Sequence, residues 1–366
     1  MQNQTLLSLN GISKHYGKSV VVDEFTLDIH QGEFVTILGE SGAGKSTVLK
    51  IIMGMIPPDN GRINFLDQDI TNQPPHRRPF AMVFQSYALF PHMTVKENLA
   101  FPLKRMKRHD NKEILDKVDQ MCELLGLNGL QNRKPNQLSG GQQQRVALGR
   151  ALLKVLNTEL GVDKALLLMD EPLSSLDKNL RQSMQIEIKK IQKQFGLTIC
   201  YVTHDQTEAL SMSDRIALIR RGAIVQVDKP SALYERPINR YVAAFFGLTN
   251  ILTGRLYQSN GTSIILQDGT NLCLPQTKSV AGPEVEMLVH PEKISFTPIN
   301  NSLVNKLEVQ IIDCVYQGSL VLFRTRTKSG FEFFVQNLNL FAQNLPHVGD
   351  TTIIYWNVND IWILQN

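Results

Sequence analysis

The stretch Gly39-Glu40-Ser41-Gly42-Ala43-Gly44-Lys45-Ser46 constrains this chain more than any other, because it fits the pattern GxxxxGK[ST] and has the right neighbours on both sides. Before it, Glu33 to Leu38 (EFVTIL) reads as a buried β-strand; after it, Thr47 to Met53 (TVLKIIM) reads as a helix stopped by Gly54 and Pro57-Pro58. Strand, glycine loop and helix in that order make a phosphate cradle. The backbone around Gly39, Ser41, Gly42, Gly44 and Thr47 can turn its N–H groups inward, and the helix that starts there adds its positive dipole end. Lys45 is expected to reach the β- and γ-phosphates, and the Ser46 hydroxyl to ligate Mg²⁺. The alternative, an exposed lysine on a glycine-rich turn, leaves the flanking strand and helix unexplained, so the chain is expected to bind a nucleoside triphosphate.

With 366 residues, 42% hydrophobic and 20% charged, the sequence can bury a large core and is long enough for two domains. A net charge of +4 suits a nucleotide or an anionic surface without requiring nucleic acid. Cys122, Cys200, Cys273 and Cys314 lie far apart with no CxxC pair, so they read as reduced, packed thiols. No charged-then-apolar segment opens the sequence, and no apolar run approaches the about 18 residues a membrane span needs. Any service to a membrane is therefore expected to go through a partner.

Leu6 to Asn10 and Val20 to Ile29 suggest antiparallel strands ahead of the loop, with Tyr16 on a glycine turn between them. On these residues alone Tyr16 either stacks on a purine, a contact of about 1–3 kcal/mol by analogy with base stacking, or fills the sheet edge. Ala81 to Phe84 is a further buried strand, ended by Gln85. Ala88 to Met93 (ALFPHM) puts apolar residues where no periodicity assigns them to a core, just before a capping box of Thr94 and Glu97. Such a loop is either sticky toward a partner or packed on its own protein. The basic run Lys104 to Arg108 reads as a solvated face. Asn111 to Leu125 reads as an amphipathic helix through Ile114, Val118, Met121 and Leu125. Leu138 to Arg145 (LSGGQQQR) then runs into a helix expected over Arg145 to Leu156, and its serine and glycine N–H groups form a second anion-binding helix start. One nucleotide on one P-loop does not need two such sites.

Ala165 to Pro172 (ALLLMDEP) is a buried strand ending in two carboxylates. Asp170 is placed to hold Mg²⁺ through water. Glu171, one residue later, either deprotonates an attacking water or supports the metal's ligands from behind. Ser174 to Asp177 is expected to start a helix with an apolar stripe of Leu180, Met184, Ile188, Ile191 and Phe195. Thr198 to Val202 is the next buried strand, and His204 follows it on the edge where α/β sheets keep ligands; taken alone, such a histidine is more often a structural one. Arg215 to Ile219 and Ala223 to Val227 read as a hairpin at the sheet's margin. Between Pro237 and Asn250 the pattern changes to short alternating strands, among them Val321 to Thr327, with turn signals at Asp268-Gly269 and Ser329-Gly330. This indicates a separate β-barrel or sandwich.

In this order the P-loop, Gln85, the Leu138 to Arg145 segment, Asp170-Glu171, Asp177 and His204 resemble the ATP-binding cassette ATPases. The resemblance covers residues 1–240, and the tail, 241–366, looks like the regulatory, TOBE-like barrel of bacterial import ATPases. It implies an α/β P-loop NTPase (RecA-like) core with an inserted helical subdomain at about 88–158, followed by a small all-β, OB-like C-terminal domain. It also implies ATP and Mg²⁺ as ligands, and two copies of the chain meeting head to tail. Ser139, Gly141 and Gln142 of one copy would then face the γ-phosphate on the Lys45 loop of the other. Residue by residue, it implies that Tyr16 stacks adenine, Gln85 links the metal to the transporter interface, Glu171 is the base, Asp177 crosses the dimer and His204 touches the γ-phosphate. Ala88 to Met93 becomes the dock for a coupling helix. The implied partners are two integral-membrane permease subunits and, through them, an extracytoplasmic solute-binding protein. The chain would then sit on the cytoplasmic face of the inner membrane, with no nucleic acid expected. The run Val83 to Val95 is similar to that of spermidine/putrescine importers, but ferric iron, sulfate, phosphonate and sugar importers share much of it. Two stretches depart from the pattern: Lys154 to Lys164 is longer than usual, and His290-Pro291-Glu292 stands where many tails carry an arginine before the proline. A cassette ATPase acting on DNA would need a long coiled coil or zinc cysteines, and a ribosome-binding one normally has two P-loops; this sequence has neither feature.

Overall fold

Long antiparallel strands β1 (Thr5–Tyr16) and β2 (Ser19–His30) open the chain, as the alternation of their apolar residues requires. They are followed by β3 (Phe34–Gly39), α1 (Lys45–Met53), β4 (Asn60–Phe65), β5 (Gln68–Asp69), β6 (Phe80–Val83), α2 (Val95–Met106), α3 (Asn111–Leu124) and α4 (Gly140–Leu156). Next come β7 (Leu166–Asp170), α5 (Lys178–Phe195), β8 (Thr198–Thr203), α6 (Gln206–Met212), β9 (Arg215–Arg220) and β10 (Ala223–Asp228). This computed structural model describes residues 4–258, 262–275, 284–298, 303–339 and 345–364. It divides into two compact units, Met1–Pro230 and Ser231–Asn366.

In the first unit the sheet order is β10-β9-β3-β8-β7-β6, parallel from β9 to β6, with β10 antiparallel at one edge. Every residue of β3, β6, β7 and β8 is buried. Both faces are covered, as an all-parallel sheet requires. On one face α1 and the antiparallel sheet β2-β1-β4-β5 close a core around Leu49, Ile52, Phe65 and Phe80; on the other α2 to α5 close a second around Leu99, Met121, Leu152 and Met184. Because parallel strands share a direction, the C-terminal ends of β3, β7 and β8 meet at one edge. Lys45, Asp170, Glu171 and His204 all follow from those ends.

One helix start differs from the sequence expectation, and a second is narrowed to a single residue. The helix expected from Arg145 begins at Gly140, with Ser139 as its N-cap, so both glycines of the Ser139-Gly140-Gly141 run lie in its first turn. The helix expected to start within Ser174 to Asp177 does so at the last of these residues: the Asp177 carboxylate accepts the Leu180 N–H at 3.0 Å and caps a helix that begins at Lys178. The long segment after α4 is a loop ending in a 3₁₀ turn, Val162–Lys164, and Glu159 in it pairs with Arg108 of the basic run.

Two short helices follow, α7 (Pro230–Glu235), whose first residue ends the first unit, and α8 (Arg240–Phe245) in the second. Strands β11 (Asn250–Gln258), β12 (Thr262–Leu266), β13 (Asn271–Cys273) and β14 (Glu284–Val289) follow, then β15 (Val304–Tyr316), β16 (Leu320–Thr327), β17 (Glu332–Leu338), β18 (Thr351–Asn357) and β19 (Trp362–Ile363). They form two antiparallel sheets, β13-β12-β11-β14-β19 and β17-β16-β15-β18, around a common core of Met287, Phe323, Phe333 and Trp356. His290 belongs to this packing: it is buried, stacks on Tyr234 at 4.2 Å, and donates from Nε2 to the Tyr234 carbonyl at 2.8 Å.

Candidate active site

The P-loop is clamped from outside by backbone. The hairpin between β9 and β10 turns through Arg221 and Gly222, both at positive φ (50° and 85°), the tight turn that matches strand twist. Its Gly222 N–H donates to the Ala43 carbonyl at 3.1 Å, and its Gly222 carbonyl accepts from Asp23 of β2 at 3.1 Å. Gly44, at φ 98°, approaches the same strand so closely that a Cβ there would stand 2.3 Å from the Val21 carbonyl oxygen. Only glycine fits. The α1 helix therefore starts without any capping side chain and with no acidic residue in its first turn, leaving its first N–H groups free for an anion.

Lys45 is 4% exposed, and its ammonium donates to the Gly39 and Glu40 carbonyls at 2.9 and 2.8 Å. Burial pulls its pKa below the ordinary lysine value, while Glu171, 3.9 Å away, and Asp170 oppose that shift. Ser46 donates its hydroxyl to Asp170 Oδ1 at 2.8 Å. Asp170 lies at the end of β7, where burial raises its carboxyl pKa against the opposing Ser46 hydrogen bond. A hydroxyl and a carboxylate in contact are hard oxygen donors of the kind Mg²⁺ takes. Among the described residues no group of three or more His, Cys, Asp and Glu could hold a metal by protein ligands alone.

Glu171 has φ 44°, in the left-handed region, where a non-glycine residue costs of order 1–3 kcal/mol. The turn holds it there: its N–H donates to the Val202 carbonyl at 2.9 Å, and its own carbonyl accepts from the Ser174 hydroxyl at 2.9 Å. The carboxylate thereby meets His204 Nδ1 at 3.1 Å, Gln85 Nε2 at 3.5 Å and the Lys45 ammonium. Lys45, Ser46, Gln85, Asp170, Glu171 and His204 are thus brought together in one chain.

The other sequence-expected residues lie apart from this cluster. Tyr16, at the end of β1, is 51% exposed, with the Lys14 ammonium 5.9 Å from its ring centre, so it does not fill the sheet edge. Ser139 and Gln142 satisfy each other: the Ser139 N–H donates to Gln142 Oε1 at 3.0 Å and the Gln142 N–H to Ser139 Oγ at 3.4 Å. Gly141 is buried against Leu180, whose methyl would lie 2.6 Å from a Cβ. Among the described residues, no hydrogen bond or ion pair joins Ser139, Gly141, Gln142 or Asp177 to the Lys45 cluster.

The apolar loop after Gln85 is partly packed on its own protein. Leu89 joins the helical core, and Phe90 lies 4.6 Å from Phe101 with the Arg150 guanidinium 5.2 Å from its ring. Ala88, Pro91 and His92 stay exposed. Asn98, unremarked in the sequence, sets this shape. Fully buried on α2, it takes the Phe90 N–H at 2.9 Å and donates toward the Phe90, Met93 and Thr94 carbonyls. Tyr87 was also missed: its hydroxyl meets Ser175 at 2.6 Å and its carbonyl accepts from Arg150. An isolated asparagine on an amphipathic helix carries no sequence signal that separates it from a solvated one.

Residues 22–174 match the ABC transporter family, and residues 287–364 match the TOBE domain. The spermidine/putrescine import ATP-binding protein PotA of Thermobifida fusca is 42% identical over 98% of this chain and 93% of that protein. The chain belongs to the ABC transporter family of ATP-binding proteins. The putrescine transport ATP-binding protein PotG of Escherichia coli K12 is 39% identical over 98% of this chain and 95% of its own length. The dimeric structure of a bacterial ABC transporter cassette covers 62% of this ABC protein and 99% of the cassette, at 31% identity and a TM-score of 0.55. The same cassette in a post-hydrolysis state bound to ADP and Pi superposes with a TM-score of 0.54.

Proposed function

We propose that this chain is the ATP-hydrolysing subunit of a bacterial importer that takes up a polyamine. Identity of 42% and 39%, over nearly the full length, to import and transport ATP-binding proteins named for spermidine and putrescine carries this reading. Two copies form a nucleotide sandwich, each ATP held by the Lys45 loop of one copy and by Ser139, Gly141 and Gln142 of the other. The pair sits peripherally on the cytoplasmic side of the membrane beneath two permease subunits that receive solute from an extracytoplasmic binding protein. Among the described residues no helix is long and apolar enough to cross a membrane.

The N–H groups at the start of α1 hold the phosphates, and Lys45 leaves its two carbonyl partners to pair with the β- and γ-oxygens. Ser46 and Asp170, with Gln85 beside them, would hold Mg²⁺, which when bound neutralises charge across the β- and γ-phosphates. Tyr16 stacks on the adenine. Glu171 accepts the proton of the water that attacks the γ-phosphorus, as the bond from that phosphorus to the β-bridging oxygen breaks. His204, 3.1 Å from Glu171, steadies the base and reaches the γ-phosphate. Asp177 crosses to the partner copy.

Two experiments test the reading. Deleting the gene should remove most uptake of labelled spermidine or putrescine, and unchanged uptake of both would discard the polyamine assignment. For the shared site, one copy carries Lys45→Ala, its partner Ser139→Arg, and both Glu171→Gln. The mixed dimer concentrates both defects in one site and should occlude ATP in the other, while neither parental homodimer occludes any. A mixture that traps no ATP would place the Ser139 segment and the P-loop in the same chain's site and overturn the sandwich.

A further inference from the structure

Behind His204 lies a partly buried ionic cluster that the proposed chemistry does not use. Glu208, 2% exposed on α6, accepts the Tyr201 hydroxyl at 2.8 Å and the Thr203 hydroxyl at 2.7 Å, both from β8. Asp205, next to His204, caps α6 with Oδ1, which accepts the Thr207 and Glu208 N–H groups. Arg181, on the first turn of α5, reaches into this group from the other side. Its Nη1 donates to Asp205 Oδ2 at 3.2 Å, its Nη2 donates to the Leu176 carbonyl at 3.0 Å, and its Nε faces Glu208 Oε1 at 3.8 Å without a hydrogen bond of its own.

The guanidinium thus spans two turns with different jobs. Leu176 is the residue before Asp177, which is proposed to cross to the partner; Asp205 is the residue after His204, which touches Glu171 at 3.1 Å. We propose that Arg181 is a positioning residue that ties the Leu176–Asp177 turn to the His204–Asp205 turn, so that His204 keeps its 3.1 Å contact with Glu171 while Asp177 is seated on the partner copy. A planar guanidinium suits this role because its donors leave in fixed directions, and a shift of one partner obliges the other to follow. Without Arg181, Asp205 and Glu208 lose the cation that lies between them. His204 then keeps its backbone but not its aim. This inference rests on the base and γ-phosphate roles proposed for Glu171 and His204.

The test uses the full chain, steady-state ATPase rates, affinity for a fluorescent ATP analogue, and thermal melting. Arg181→Gln should lower kcat about tenfold while changing KM and analogue affinity less than about twofold. Asp205→Asn, which retains a capping oxygen but presents an amide to Arg181, should reproduce that split even where Arg181→Gln is too unstable to assay. Arg181→Lys should recover part of the loss. In a His204→Ala background, Arg181→Gln should cost less than about twofold more, because Arg181 acts through His204. A full tenfold additional loss there, or a loss confined to KM, would overturn the positioning role while leaving the ATPase reading intact. Absence of ATP turnover in the parent chain would overturn both.

Discussion

Two helix starts in the first unit are both rich in glycine and both able to receive an anion, yet the chain equips them differently. At α1 the N-cap is Gly44, no side chain caps the helix, the cation Lys45 is buried beside it, and two strand ends, those of β7 and β8, bring up Ser46's partner Asp170, Glu171 and His204. At α4 the N-cap is Ser139, which exchanges hydrogen bonds with Gln142 in a closed capping box, and Ser139 and Gly140 face solvent. The first start is a site with its chemistry attached. The second is a donor surface with no chemistry of its own within the chain, which is how half of a shared site should look before its other half arrives.

The largest effect should come from removing the chemistry at the first start. Glu171→Gln leaves the Lys45 bonds to the Gly39 and Glu40 carbonyls and the Ser46 bond to Asp170 in place, removes the charge facing Lys45 and, in the proposed mechanism, deprives the attacking water of its proton acceptor. ATP turnover should fall by about 10²–10⁴-fold with nucleotide affinity within a few-fold of the parent. The αL backbone at Glu171 is kept by the Val202 and Ser174 bonds, which do not involve the carboxylate. Melting temperature should therefore barely move. Turnover within a few-fold of the parent would remove Glu171 from the base role and with it the contrast between the two starts.

How much of this was legible beforehand follows from the kind of signal each feature leaves. β3, β7 and β8 announce themselves as apolar runs, since a parallel sheet buries both faces, and the motif residues after them inherit their positions from chain direction. Within Ser174 to Asp177 the start of α5 was not legible to the residue, because Ser174, Ser175 and Asp177 are all good cap residues by type. What decided it was geometry: Ser174 is occupied by the Glu171 carbonyl and Ser175 by the Tyr87 hydroxyl, leaving Asp177 as the cap. The second unit read correctly as β-rich, but alternation within a strand does not say which strands pair, so its division into two sheets had to come from the structure. Asn98 and Arg181 were illegible for a related reason. Their importance lies in backbone carbonyls and carboxylates distant in sequence, whereas the helices that bear them look ordinary.

The second effect sharpens the comparison from the side of the fold. Gly44→Ala puts a methyl at φ 98° and 2.3 Å from the Val21 carbonyl, where backbone on both sides must give way. The combined strain and overpacking should cost about 3 kcal/mol, a fall in melting temperature of about 6–12 °C for a unit of this size. ATP binding should be lost with it, because the clamp from β2 fixes the loop that holds the phosphates. A variant that melts with the parent and still binds ATP would show that the clamp is dispensable.

The smallest effect on the fold is the most discriminating for the shared site. Gly140 lies in the first turn of α4 at an ordinary helical φ, is exposed, and has no atom within 4 Å of the place a Cβ would occupy. Nothing inside the chain requires glycine there, unlike Gly141, whose Cβ would meet Leu180. Gly140→Ala should therefore change stability by less than about 0.5 kcal/mol, with any shift toward greater stability, because alanine is the better helix former. If the α4 start is docked on the γ-phosphate of a second copy, the added methyl lies in the plane of that contact, and turnover should nonetheless fall about tenfold, equivalent to about 1.4 kcal/mol. The demand for glycine would then come from outside the chain, since the inside has none. Unchanged turnover in a variant of unchanged stability would mean that no phosphate approaches this helix closely, and the α4 start would revert to an ordinary capped helix.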